Sequence, residues 1–275
     1  MAIDYLLGVP CEPHRQLGVD RLVTLNRTRI LARSALAHMR QDGDARSPSE
    51  IEIQLTMRTS GGDSARGVTL QDLLDESRPL DDVVGHCTAC PAQLPRELAC
   101  HRRIRYPIPE KVEAWLMARL PESLACTAGA LLVRGLAEFG WDGAPTAKLR
   151  NAAGTFFESR VPYGVRWAQD GASRALPGER GSPDGVIEIS SDQLFQMMFL
   201  VGNLAPTHCL MLALFLGVIP HDTSLHDLKD EAGRARALGA ANVANEQDAD
   251  IEQLAAFLRA LAVAARMDVP ILVDG

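Results

Sequence analysis

Residues 85–109 read GHCTACPAQLPRELACHRRIRYPIP. It holds Cys87-x-x-Cys90 and then Cys100, with His86 and His101 beside the outer two cysteines. Two cysteines separated by two residues can turn both sulfurs towards one ion. Pro91 and Pro95 restrain the connecting loop, which lowers the entropy lost when the third thiolate swings in. The spacing predicts a cysteine-rich metal-binding loop over residues 85–109, with Cys87, Cys90 and Cys100 as ligands.

A structural zinc ion takes four ligands. The fourth is expected to be Cys11, which sits in a second proline-bounded turn, VPCEPH at residues 9–14. His14 is the next candidate. His101 and His86 are nearer in sequence, but each adjoins a cysteine already in use, and neighbouring residues tend to point apart. Four thiolates also ligate iron–sulfur clusters, so spacing alone leaves zinc first and a cluster as the alternative. A polar loop with a remote fourth ligand suits a clamp that ties the beginning of the chain to its middle. Such an ion contributes folding free energy rather than an activated water. A redox or catalytic cysteine and unbound thiols in a tight loop are the competing readings. Cys126 and Cys209, each set among apolar neighbours, read as small core residues.

Composition bounds the fold and the compartment. The chain has 275 residues, 47% hydrophobic and 23% charged, enough for a substantial core and average for a soluble globular protein. A net charge of −7 argues against non-specific nucleic-acid binding, which rests on clustered Lys and Arg. Six cysteines are too sparse for a small disulfide scaffold, and no charged-then-apolar leader opens the sequence. The expectation is a reducing, cytoplasmic setting. Residues 193–220 carry no charged side chain, yet Gly202-Asn203 and Pro206 interrupt them. Proline removes a helix hydrogen bond, so this stretch predicts two buried helices joined near residues 203–207 rather than a membrane span of about 20 residues.

The remaining pattern predicts a helix over residues 18–40 and a half-buried strand over 50–57, where Ile51, Ile53, Leu55 and Met57 alternate with polar residues. Residues 60–67 read as a loop, and Thr69 with Asp72 as a helix N-cap. Helices are expected from Pro109, from Pro121 to Phe139 with Gly140 as the stop, and over 251–266. Strands are expected over 161–167, 185–189 and 269–273. Residues 169–184, rich in Gly, Arg, Ser and Pro, read as a mobile hairpin loop. The fold class is α+β: predominantly helical, with a small mixed or antiparallel sheet and an embedded cysteine-rich metal knuckle, in one continuous domain over residues 1–275.

No nucleophile-elbow, zinc-protease, phosphate-loop or dinucleotide-binding pattern occurs. The functional expectation is a soluble zinc protein acting as a non-catalytic binding or assembly module for a protein partner. One alternative is an iron–sulfur enzyme, or a hydrolase using His208 at the break between the two apolar helices. Another is a phosphate or nucleic-acid binder through Arg102, Arg103 and Arg105, whose planar guanidinium forks match such groups.

Overall fold

The apolar opening AIDYLL forms a strand, Ala2–Leu7, in which every residue from Ile3 onward is buried. It is the middle strand of a three-stranded sheet, with His101–Arg105 on one side and Ile271–Asp274 on the other. Its pairing with the last strand is antiparallel, Leu6 opposite Leu272. A strand buried along its whole length shows no apolar–polar alternation, so its sequence reads merely as an apolar run. The computed structural model describes residues 2–59, 62–94, 96–152, 164–168, 186–241 and 243–274.

The chain divides into two compact units, one comprising Met1–Gly8 with Arg102–Gly275 and the other Val9–His101. The reading of one continuous body over residues 1–275 does not contain this division. In the first unit, the core is organised by helix Ala249–Met267, whose Leu254, Phe257, Leu258 and Leu261 are fully buried. Tyr5 of the central strand meets Phe257 edge-on at 5.1 Å and 79°, and Phe199 lies 4.8 Å from the same ring. The uncharged stretch breaks where Pro206 requires it. Helix Ser191–Phe195 continues as a wider, π-helical turn, Gln196–Leu200, and a separate helix runs from Pro206 to Phe215. Between them Leu204 exchanges hydrogen bonds of 2.7 and 2.9 Å with Ile271, adding a bridge to the edge strand. Among the described residues, no helix is long and apolar enough to cross a membrane.

The helix expected from Pro121 begins six residues later, as Thr127–Phe139. Cys126 is its N-cap, with Sγ accepting from the Gly129 N–H at 3.3 Å, and Gly140 ends it in the left-handed conformation. Cys126 is therefore a half-buried cap rather than a core residue. Cys209 is fully buried, as expected, and burial pushes its thiol up to about 12. Strands Gly164–Ala168 and Val186–Ser190 pair antiparallel, Val165 opposite Ile189; the expected loop over 169–184 lies outside the described residues.

In the second unit, helix Val19–Gln41 packs on a hairpin of strands Glu52–Thr59 and Gly62–Thr69. Ala32, Ile51, Val68, Leu70 and Leu73 form the centre, with Ile53 and Leu55 packed against them as the alternation predicts. Residues 62–67, within the loop expected over 60–67, belong to the hairpin's second strand, Gly62–Thr69. The strand's sequence GDSARGVT has few apolar side chains, so backbone pairing to the first strand holds it, and no hydrophobic pattern announces it. The expected cap is present: Thr69 Oγ1 accepts from the Asp72 N–H at 3.1 Å, and Asp72 accepts from the Thr69 N–H at 3.0 Å. The α+β class holds, with mostly helix and small antiparallel pairings.

One buried polar network in the first unit needs its cation. Glu113, 2% exposed, accepts from the Ser191 hydroxyl and stands 3.5 Å from Arg150, which also pairs with Asp192 at 2.5 Å. Burial holds both carboxyls above their ordinary range, and Arg150 opposes that rise. A carboxyl whose folded value exceeds its unfolded one stabilises fully below the unfolded value, near about 4, and loses that contribution as pH rises through the folded value. Arg150→Ala is therefore expected to cost about 3 kcal/mol near neutral pH and less at pH 4. Urea unfolding at pH 4 and pH 8 measures this, and a deficit independent of pH would rule out the carboxylates as its source.

Candidate functional site

The cysteine-rich loop of the second unit is a chain of tight turns. A short 3-10 helix, Gly85–Ala89, carries Cys87; the Cys90 N–H then bonds to the Cys87 carbonyl at 3.1 Å, and the Gln93 N–H to the Cys90 carbonyl at 2.9 Å. The His101 N–H closes a further turn on Leu98 at 3.0 Å. Gln93 and Leu98 both adopt positive φ of 51°, a conformation that costs a non-glycine residue roughly 1–3 kcal/mol and persists only where surroundings over-determine it. These reversals return the chain on itself, so that the Leu98 N–H lies 3.5 Å from Cys87 Sγ as a donor.

Both ends of the loop are held by the same helix. Arg29 of helix Val19–Gln41, 6% exposed, donates to the Ser77 carbonyl at 2.8 Å and to Asp81 Oδ1 at 2.8 Å, just before the cysteines. Asn26, one turn earlier on the same buried stripe, bonds through Nδ2 to His101 Nδ1 at 2.9 Å, just after them. Neither residue stood out in the sequence. The available signal was a helical stripe of Leu22, Leu25, Asn26, Arg29 and Ala32 in which two of five positions are polar.

The N-terminal turn meets this loop. Cys11 is the N-cap of helix Glu12–Leu17, with Pro13 in its first turn and the Cys11 carbonyl accepting from the Arg15 N–H at 3.1 Å. His14, one turn into that helix, brings Nε2 to 3.9 Å from Cys100 Sγ. Cys100 is buried, and its thiol is pushed up to about 12, first by burial and then by the neighbouring charges of Cys11, Cys87 and Cys90. The Cys11 thiol is likewise pushed up, by burial first and then by Cys90 and Cys87. The four sulfurs singled out by spacing are thus electrostatic neighbours in one unit, whereas Cys126 and Cys209 belong to the other. Among the described residues, however, no three His, Cys, Asp or Glu side chains stand in a geometry that would hold a metal ion. The expected metal knuckle is not shown among the described residues: the thiols lie in one unit without a metal-holding geometry.

The four histidine and cysteine candidates for the fourth position separate clearly. His101 is buried with Nδ1 engaged by Asn26, and His86 is exposed on the 3-10 helix. His14 is half-buried; burial pushes its imidazole below the usual range, against a hydrogen bond to the Val9 carbonyl. Cys11 and His14 therefore remain beside the three central thiols.

The arginine patch falls in the other unit, on strand His101–Arg105. Arg103 is committed to Asp4 of the central strand, at 3.2 and 3.4 Å, and the Arg105 N–H bonds to Gln253 at 2.8 Å. Arg102 is half-buried, and its charge acts on Tyr5. Asn203, in the break before His208, accepts from the Val273 N–H of the edge strand at 3.3 Å. No family model, curated protein or solved structure matches this chain.

The clamp makes a direct prediction. Asn26→Ala removes the buried hydrogen bond to His101 Nδ1 and is expected to cost about 1–3 kcal/mol. It should also speed alkylation of Cys100 by iodoacetamide in the folded protein, followed by peptide mass spectrometry. Labelling at the parental rate would show that helix Val19–Gln41 does not set the loop's closure.

Proposed function

We propose that the unit Val9–His101 is a zinc-binding module in which Cys87, Cys90, Cys100 and Cys11 hold one structural ion. The observation that carries this reading is that three thiols from two distant turns, those of Cys11, Cys87 and Cys90, lie close enough to Cys100 for their charges to act on it. Clustered thiols of this kind are soft ligands that suit zinc, and four of them leave no position for an activated water. The ion's contribution on this reading is to folding: it fixes the N-terminal turn onto the loop that Arg29 and Asn26 already bracket. The module then serves as a rigid surface for a protein partner and carries no chemistry of its own.

A second reading gives the fourth position to His14, and a specific contact favours it. Zinc bonds of about 2.3 Å to sulfur and 2.0 Å to nitrogen place the two atoms about 3.5 Å apart at a tetrahedral ion. His14 Nε2 and Cys100 Sγ are 3.9 Å apart. The Val9 carbonyl provides the kind of backbone partner that orients a ligating imidazole.

Elemental analysis of protein purified without added chelator or metal tests both readings. About one zinc per chain is expected, with loss of the metal and a lower Tm in the Cys87→Ser/Cys90→Ser double variant. Comparing Cys11→Ser with His14→Asn identifies the fourth ligand as the one whose removal releases zinc. Iron with visible absorption would replace the ion by a cluster. Protein free of metal, whose Tm neither rises with added zinc nor falls in the double variant, would overturn the proposal.

A further inference from the structure

The first unit holds a cavity of about 490 Å³ between helices Thr127–Phe139 and Pro206–Phe215, within the roughly 300–1,000 Å³ typical of small-molecule sites. Its walls are largely apolar. Leu131 contributes from the first helix, Met211 and Phe215 from the second. One flank is a ladder of flat rings: Phe139 stacks on Trp141 at 4.9 Å and 30°, and Trp141 on His208 at 5.8 Å and 19°. Phe139 is left 69% exposed, the most exposed large apolar side chain among the described residues.

Three further features narrow what such a cavity takes. Gly135 contributes no side chain; a Cβ there would stand 3.5 Å from the Trp141 indole, so space beside the ring is kept open. Arg134 and Glu138, the charged groups lining the site, pair with one another at 2.6 Å and leave the wall without net charge. His208 Nε2 is buried without a hydrogen-bond partner, and burial holds the imidazole below its usual range, favouring the neutral ring. Parallel rings favour a flat guest in offset stacking, and a neutral wall disfavours a charged one, whose desolvation nothing would offset.

We propose that this cavity binds a small, uncharged, planar aromatic molecule that stacks on the Phe139–Trp141–His208 ladder. The guest covers the exposed face of Phe139 and fills the space beside Gly135. The cavity contains none of the clustered thiols and belongs to the other unit, so it stands independently of the zinc reading.

The test uses the full chain and 2-naphthol as the probe, with cyclohexanol as a non-planar comparison, followed by saturation-transfer NMR and tryptophan fluorescence. Saturable binding of 2-naphthol with Kd of about 1 mM or tighter is expected for a guest of this size, with cyclohexanol at least tenfold weaker. Trp141→Ala removes the stacking face and should weaken 2-naphthol at least tenfold. Gly135→Leu fills the space, is compatible with a helix interior, and should weaken it to the same degree; it decides the matter should Trp141→Ala fail to fold. Circular dichroism and thermal melts establish that each variant is folded. Unsaturable binding, equal affinity for cyclohexanol, or undiminished binding in folded Gly135→Leu would overturn the assignment.

Discussion

Two polar side chains on the buried stripe of helix Val19–Gln41 hold the cysteine-rich loop in place. A buried guanidinium is costly unless its donors are satisfied, and Arg29 satisfies them on the segment that leads into the loop, at the Ser77 carbonyl and Asp81. Asn26 does the same for the exit through His101. With both ends pinned to one rigid element, the residues between them have little freedom. They turn back on themselves through the successive reversals at Cys90, Gln93 and Leu98. The left-handed backbone at Gln93 and Leu98 is tolerated because the anchored ends leave few other routes.

The unit built from the two ends of the chain follows a different logic. Its central strand is buried from Ile3 to Leu7, with neighbours on both edges and Asp4, its one charged residue, paired with Arg103. Tyr5, Phe257 and Phe199 join strand, C-terminal helix and π-helical turn through ring contacts. Gly8 leaves the strand where a Cβ would press on Pro270 at 3.0 Å, and its N–H bonds to the Pro270 carbonyl at 2.8 Å. That close approach lets the first and last strands run side by side. In the Glu113–Arg150–Asp192 network of this unit, one cation serves two carboxylates.

Most elements were legible wherever local chemistry speaks for itself. The long helix, the alternating strand, the Thr69 cap, the Gly140 stop and the break at Pro206 each rest on a few adjacent residues. The misses share a cause. Strands Ala2–Leu7, Gly62–Thr69 and His101–Arg105 depend on partners elsewhere in the chain, and their side chains lack the period-two signature of a half-buried strand. The arginines of strand His101–Arg105 read as a charged patch because the pairing of Arg103 with Asp4 spans almost a hundred residues.

By itself, the sequence determined where the chain stiffens and turns: proline-bounded turns and the two-residue gap single out Cys11, Cys87, Cys90 and Cys100 from six cysteines as an expectation, because spacing and local stiffness are covalent properties. Tertiary structure alone decided the rest. It brought His14 to Cys100, set His101 against Asn26 and opened the aromatic cavity beside Trp141. Each of these joins residues from separate elements. Their meeting follows from which apolar faces pack together, and no run of neighbouring residues encodes that choice.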